Sequence, residues 1–145
     1  MVQDIFIDTN IACKFARPSS ESVKFLEWLS EKGYLVVSKK LLVEYNKTCN
    51  IQLFGTVINK LMIDNRIVEI SSNQIKEFKK KHITKKVKNR LQSNIEDWNH
   101  IPVVLLSDRK IAITGDGKFS HDLKVISGYT PIVASSFEEI DYVNM

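Results

Sequence analysis

Two aspartates stand directly after short apolar runs, where strands would end. Asp8 follows the run 5–7 (Ile-Phe-Ile), and Asp116 follows the run 111–115 (Ile-Ala-Ile-Thr-Gly). Ligands of open α/β sheets bind at the carboxyl ends of the strands, although an aspartate in this place can also serve only as a helix N-cap. Two carboxylates at equivalent ends, in a first and a fourth strand that could be neighbours, favour a shared chemical site.

Two further acidic residues occur in segments with a helical pattern. Glu44 is surrounded by apolar residues, and Asp97 precedes an apolar stretch with His100 one helical turn later. A buried lone carboxylate is costly unless it is paired or bound to a cation, which favours a site. The alternatives stay open: Glu44 could face solvent beside Lys40 and Lys47, and His100 could be an ordinary half-buried or surface imidazole.

Convergence of these four carboxylates would require protons or metal ions to offset their repulsion. Mg²⁺ and Mn²⁺ prefer ligand sets made only of oxygen, whereas zinc prefers His or Cys. Two such ions, about 3.5–4 Å apart, can activate water and stabilise the leaving oxygen in phosphodiester hydrolysis. The residues therefore predict an acidic metal site if the fold brings them together.

A basic segment lies at 76–90, where eight Lys or Arg residues stand against one glutamate. It is either a solvated helix face or a surface that contacts phosphates, because clustered cations release counterions when nucleic acid binds. It contains almost no aromatic residues that could stack on bases. The candidate RNA-binding residues are Lys79, Lys80, Lys85 and Lys86.

The elements that would position these residues are short strands alternating with helices. Strands are predicted at 4–8, 34–37, 67–70, 110–114 and 130–134. Helices are predicted at 11–16, 20–32, 39–50, 51–64, from a capping box at Ser71 and Gln74 onward, at 84–94 and around 97–104. Ser38 is the predicted N-cap of the helix at 39–50. Pro102 is expected in an early turn or at a kink of the last helix. This alternation indicates an α/β fold with a mostly parallel five-stranded sheet flanked by helices.

Length and composition fit one domain over residues 1–145, with 43% hydrophobic residues and a net charge of +4. No apolar stretch is long enough to span a bilayer, and the first residues do not resemble a signal peptide. Cys13 and Cys49 are too few for a disulfide scaffold, and we expect them to be small buried apolar residues. A cytoplasmic protein without membrane contact is the default expectation.

Four short motifs follow one another along the chain: Phe-Ile-Asp-Thr-Asn-Ile at 6–11, Leu-Val-Glu-Tyr at 42–45, Glu-Asp-Trp-Asn-His-Ile at 96–101, and Ile-Thr-Gly-Asp-Gly-Lys-Phe at 113–119. In this order they resemble the motifs of PIN domains, the nuclease fold of VapC-type toxins. Each motif alone is weak, whereas the ordered set is fairly specific and covers nearly the whole chain.

The resemblance implies a parallel sheet of five strands, a divalent-metal site and cleavage of single-stranded RNA. Its metal ligands or water-orienting carboxylates would be Asp8, Glu44, Asp97 and Asp116. The supporting polar residues that place these carboxylates would be Thr9, Asn10 and Thr114. The chain departs from the family after Asp116, where Lys118 intervenes and Asp122 becomes the candidate for a second metal position. His121 is expected at the surface.

The leading hypothesis is thus a metal-dependent endoribonuclease that uses Mg²⁺ or Mn²⁺. The resemblance further implies that it could be the toxin of a toxin–antitoxin pair. Such toxins are kept inactive by a small inhibitory protein and often form homodimers. The alternative is a non-catalytic RNA-binding or scaffolding module that keeps the fold. A phosphatase of the haloacid dehalogenase type would need an aspartate where Asn10 stands, and no Gly-x-Ser-x-Gly elbow supports a serine nucleophile.

Overall fold

A five-stranded parallel sheet forms the centre of the computed structural model, which describes residues 1–49 and 51–145. The strand order is β3-β2-β1-β4-β5, and every pairing is parallel. The first and fourth strands are neighbours, with Phe6 opposite Ala112 and Ile7 opposite Ile113. The predicted fold class is confirmed, and the arrangement is consistent with a PIN-like fold.

The strands are short and lie close to their predicted places. They are β1 Asp4–Ile7, β2 Tyr34–Val37, β3 Ile67–Glu69, β4 Ile111–Ile113 and β5 Ile132–Ala134. The α-helices of the described residues are α1 Thr9–Cys13, α2 Ser20–Glu31, α3 Lys39–Thr48, α4 Gln52–Ile63, α5 Ser72–His82, α6 Lys85–Lys88, α7 Ile101–Leu105 and α8 Gly117–Val125. Short 3₁₀ helices cover Lys14–Ala16, Ile95–His100 and Phe137–Glu139.

The apolar runs become strands because both faces of the sheet are covered, so nearly every side chain of the central strands can be apolar. All residues of β1 and β4 are buried.

Local signals fix the helix starts. Ser38 accepts from the Leu41 N–H as N-cap of α3, and Ser71 and Gln74 form the predicted capping box of α5.

Two predicted helices differ from the structure. The helix expected at 84–94 is only α6, because the N–H groups of Gln92 and Ser93 bond to the distant Asp122 carboxylate instead of a helical carbonyl. The segment with Pro102 is a 3₁₀ helix followed by α7, with the proline in the first turn, where no N–H is needed. The end of the third predicted helix at Asn50 lies outside the described residues, and α3 ends at Thr48.

The expectation for the cysteines was wrong. Cys13 and Cys49 form a disulfide, at a sequence separation of 36. Cys13 ends α1, and Cys49 is the C-cap of α3, so the bond joins the ends of two packed helices. Spacing along the chain carries no sign of this proximity, because it depends on how α1 packs against α3.

Among residues 1–49 and 51–145, no helix has the length and apolar character required to cross a membrane.

Candidate active site

Asp8 directly follows β1 and is the N-cap of α1, so its carboxylate lies at the carboxyl edge of the sheet. Its Oδ1 accepts from the Thr9 N–H at 2.8 Å, and its Oδ2 accepts from the Thr114 hydroxyl at 2.6 Å. Asn10 donates a longer bond, 3.4 Å, to the same Oδ2. Thr9, Asn10 and Thr114, all predicted to support the carboxylates, are therefore in contact with or next to Asp8.

The turn after β4 is bound to the turn after β1. Thr114 Oγ1 accepts from the Asp116 N–H at 3.1 Å while donating to Asp8, so one hydroxyl bridges the two strand ends. Asn10 Oδ1 accepts from the Gly115 N–H at 3.0 Å. Asp116 then caps α8 by accepting from the Lys118 and Phe119 N–H groups. The two strand-end aspartates of the sequence prediction lie on adjacent strands and share this network.

Glu44 faces inward from α3 and does not pair with a lysine of its own helix. Its Oε2 lies 2.8 Å from His100 Nε2 and accepts from the Thr9 hydroxyl at 3.3 Å. The Tyr45 hydroxyl, on the next residue, donates to the Ile7 carbonyl and so holds α3 against the end of β1. Glu44 is thus tied both to the Asp8 turn and to the segment that carries Asp97.

His100 is the site residue whose role the sequence left open. It is only 2% exposed, it touches the Phe6 and Phe119 rings, and its Nδ1 has no hydrogen-bond partner within the described residues. The available signal was its position one helical turn after Asp97, which places both side chains on one side of the 3₁₀ helix.

Electrostatics connect the four carboxylates. Burial raises the pKa of Asp97, and the charges of Asp8, Asp116 and Glu44 raise it further, while the His100 imidazole opposes them. Burial also raises the pKa of Asp8, against the lowering effect of its bonds from Thr114 and the Thr9 N–H. Each of these groups would be stabilised in its charged form by added positive charge.

The donor set suits a hard divalent cation in its chemistry, although it is not a preformed cage. The four acidic side chains offer only oxygen ligands, the type that Mg²⁺ and Mn²⁺ prefer. In the part of the chain that the structure describes, no three His, Cys, Asp or Glu side chains are already arranged to hold a metal ion. Burial raises the pKa values of Asp8 and Asp97, and a bound cation would offset that effect.

Asp122 does not join this group, which corrects the suggestion that it supplies a second metal position. It is fully buried and accepts from the Gln92 N–H at 2.8 Å, from the Ser93 N–H at 2.9 Å and from the Ser93 hydroxyl. A carboxylate so occupied holds the 92–93 turn in place. His121 is exposed, as predicted, with Nε2 3.2 Å from the Arg90 carbonyl.

The predicted RNA-binding lysines have different surroundings. Lys79 of α5 donates to Asn99 Oδ1 at 2.8 Å, and Asn99 belongs to the same 3₁₀ helix as Asp97. Lys80 of α5 and Lys85 and Lys86 of α6 are exposed. The basic segment therefore adjoins the acidic group through Lys79.

Comparison with known protein families, with curated proteins and with solved structures finds no match to this chain. A parallel α/β sheet thus carries four carboxylates and one buried histidine near the carboxyl ends of β1 and β4.

Proposed function

We propose that the chain is an endoribonuclease that hydrolyses phosphodiester bonds of single-stranded RNA with Mg²⁺ or Mn²⁺. The observation that carries the proposal is the Thr114 bridge: its hydroxyl donates to the Asp8 carboxylate and accepts from the Asp116 backbone N–H, which joins the turns after two adjacent strands where α/β sheets bind ligands. The resemblance of the four motifs to PIN domains supplies the reaction class.

Each residue has a role that its contacts support. Asp8, Asp97 and Asp116 are the proposed metal ligands, with Glu44 as a further ligand or as the group that orients the attacking water. Thr9, Asn10 and Thr114 hold these carboxylates through hydrogen bonds. His100 fixes Glu44 by its 2.8 Å bond and is a positioning residue.

A bound Mg²⁺ or Mn²⁺ would polarise the phosphoryl group and balance the negative charge of the site. The chain itself supplies fixed carboxylates, two of which have raised pKa values without the cation. The apolar neighbours of His100, Phe6 and Phe119, exclude water from one side of the site.

The proposal has three further parts. A small inhibitory antitoxin and a homodimer rest on the resemblance alone, and a cytoplasmic location rests on the default expectation from the sequence. Copurification from the native host, followed by mass measurement of the intact complex, tests the antitoxin and the dimer together.

The test is cleavage of a mixed single-stranded RNA with Mg²⁺, with Mn²⁺ or with EDTA. We expect metal-dependent cleavage by the wild type and a loss of at least about 100-fold in Asp8→Asn and Asp116→Asn, the scale of removing a group that acts on the transition state. Glu27→Gln is the matched control, because it neutralises an exposed carboxylate on α2 and should leave the rate unchanged. Cleavage that persists in EDTA, or equally in both aspartate variants, contradicts the proposal.

The second candidate is an RNA-binding module without catalysis. It is favoured by one observation, that no three candidate ligands among the described residues are set to hold a metal. RNA binding without cleavage by the folded wild type, under every metal condition, would select this candidate.

A further inference from the structure

A groove lies beside the acidic group, at the same edge of the sheet. Its walls are the first turn of α3, one face of α5 and the side chain of Asn99, and it encloses about 380 Å³. Ser38 follows β2, and Ser72 follows β3, so the groove lies over the carboxyl ends of those two strands. The acidic group lies over β1 and β4, the next two strands in the sheet.

All charged side chains that line the groove are lysines. No acidic side chain lines it, and the four lysines, two from α3 and two from α5, are Lys39, Lys40, Lys76 and Lys79. Lys40 pairs with Glu96, and Lys79 donates to Asn99. Within residues 1–49 and 51–145, Lys39 and Lys76 have no hydrogen-bond or ion-pair partner. Two lysines thus face the groove without a counter-charge.

The backbone adds to this positive character. The Ser38 side chain and carbonyl accept from the Leu41 and Leu42 N–H groups, which leaves the N–H groups of Lys39 and Lys40 at the helix start without helical partners. The positive end of the α3 dipole therefore points into a space that lysine side chains already line. A phosphate with its hydrogen-bond acceptors complements both features.

The groove and the acidic group share one element. The 3₁₀ helix Ile95–His100 contributes Asn99 to the groove, and it carries Asp97 and His100 in the acidic group. Strands in a sheet lie about 4.8 Å apart, so two strand spacings put the groove on the order of 10 Å from the acidic group. A single strand of RNA spans this distance within a few nucleotides.

We propose that this lysine groove binds a backbone phosphate of the single-stranded RNA, a few nucleotides from the bond that the acidic group cleaves. The inference rests on the proposed function for its substrate, and it replaces a general basic surface with a defined set of residues from two helices. A phosphate held there fixes the path of the strand across the sheet edge and brings the scissile bond to Asp8 and Asp116.

The test separates binding from cleavage by measuring RNA binding in EDTA. The probe is a fluorescently labelled single-stranded RNA oligonucleotide, and its anisotropy is followed against protein concentration at several salt concentrations. In Lys39→Gln/Lys76→Gln we expect the affinity to fall roughly tenfold or more, as for removal of a charged hydrogen bond. The slope of log K against log salt should become shallower by about 0.7 for each phosphate that the variant no longer neutralises.

Two variants keep this result specific. Lys81→Gln/Lys88→Gln removes the same charge from exposed positions of the basic segment outside the groove, and it should change binding far less. Lys39→Arg/Lys76→Arg keeps the charge and should keep the affinity. Circular dichroism confirms that all three variants are folded.

Equal losses of affinity in the groove variant and the Lys81/Lys88 control would overturn the proposal, as would a wild type that binds no RNA. If the wild type binds RNA in EDTA but never cleaves it with metal, the nuclease proposal fails, and the groove is still judged by the binding series. If it cleaves RNA and the groove variant binds normally, the nuclease proposal stands and the groove proposal fails.

Discussion

Asp97 and Asp122 show how two aspartates of one chain acquire different roles. Asp122 is fully buried, and both of its carboxylate oxygens accept hydrogen bonds. The Asp97 side chain has no hydrogen-bond donor among the described residues and is opposed by the charges of Asp8, Asp116 and Glu44. A satisfied carboxylate stabilises the fold, whereas an opposed and unsatisfied one is available to a ligand.

Replacing Asp97 by Asn should therefore stabilise the metal-free protein at pH 7. We expect the free energy of unfolding in EDTA to rise by about 0.5–1 kcal/mol, the scale of a partly screened pair of charges. Because folding raises the pKa of Asp97, the wild type gains stability as pH falls through that pKa. The difference should vanish below about pH 4, where the carboxyl is protonated in both states. Urea unfolding at several pH values measures it.

The control for this measurement is Asp122→Asn, where the sign should reverse. The new amide nitrogen cannot accept the hydrogen bonds that the Gln92 and Ser93 N–H groups donate to the Asp122 carboxylate. The free energy of unfolding should therefore fall by about 2–3 kcal/mol. Added Mg²⁺ should stabilise the wild type and not Asp97→Asn. A destabilised Asp97→Asn in EDTA at pH 7 would show that Asp97 has a structural partner.

At the scale of elements, the disulfide lies on the two helices that frame Asp8 and Glu44. Asp8 caps α1, whose last residue is Cys13, while Glu44 lies on α3, which Cys49 caps. The bond therefore limits how far the capped turn and the glutamate can move apart. Disulfides are uncommon in reducing compartments, so in the proposed cytoplasmic setting the two cysteines would be mostly reduced and this restraint would be absent.

Cys13→Ser/Cys49→Ser should lower the free energy of unfolding under oxidising conditions. For a sequence separation of 36, the chain-entropy relation gives about 4 kcal/mol as the full effect. Urea unfolding of the wild type with and without dithiothreitol should show a decrease of the same size, and the double variant should not respond to the reductant. A wild type insensitive to dithiothreitol would contradict a stabilising disulfide.

Elements with local signals were predictable, and elements set by distant contacts were not. Ser38 and the Ser71–Gln74 pair mark helix starts with side chains that bond within three residues, so the sequence alone identified them. The turn at 92–93 depends on the hydrogen bond from the Gln92 N–H to the Asp122 carboxylate, which lies 30 residues later in the chain. No pattern within the basic segment signals that competition.

The same limit applies to the candidate site. The order of the four motifs indicated which four carboxylates are candidates for the site. The position of Asp8 and Asp116 after predicted neighbouring strands indicated that these two lie close together. The groove lysines come from α3 and α5, far apart in sequence, so composition drew attention to the basic segment and overlooked Lys39. The roles of Lys80, Lys85 and Lys86 stay a prediction.

At the scale of the molecule, Arg109 ties three distant parts of the chain at the sheet edge opposite the site. Its Nε donates to the Asp4 carbonyl at 3.0 Å, and its Nη1 donates to the carbonyls of Tyr142 at 2.7 Å and Met145 at 2.8 Å. Asp4 accepts in turn from the Arg109 N–H. Both side chains are buried, and hydrogen bonds from Nε and Nη1 replace water there, while Arg109 Nη2 has no partner among the described residues.

Arg109→Met should destabilise the whole molecule by about 3–5 kcal/mol, because it leaves a buried carboxylate without its cation. Thermal unfolding should show one cooperative transition at a lower temperature. Arg17→Met, at an exposed position, is the control and should change stability little. A decrease below about 1 kcal/mol would mean that Asp4 is satisfied by backbone N–H groups alone.

The central position of β1 has a consequence for synthesis of the chain. Asp8 bonds to Thr114, a residue 106 positions later, so β4 can pair with β1 only after the ribosome has synthesised the whole intervening segment. A nascent chain with only β1, β2 and β3 holds Asp8 and Glu44 but lacks Asp97 and Asp116. Pairings so distant in sequence form slowly. The acidic group of a nascent chain is therefore complete only once β4 and Asp116 have left the exit tunnel, which delays the proposed nuclease activity until that point of synthesis.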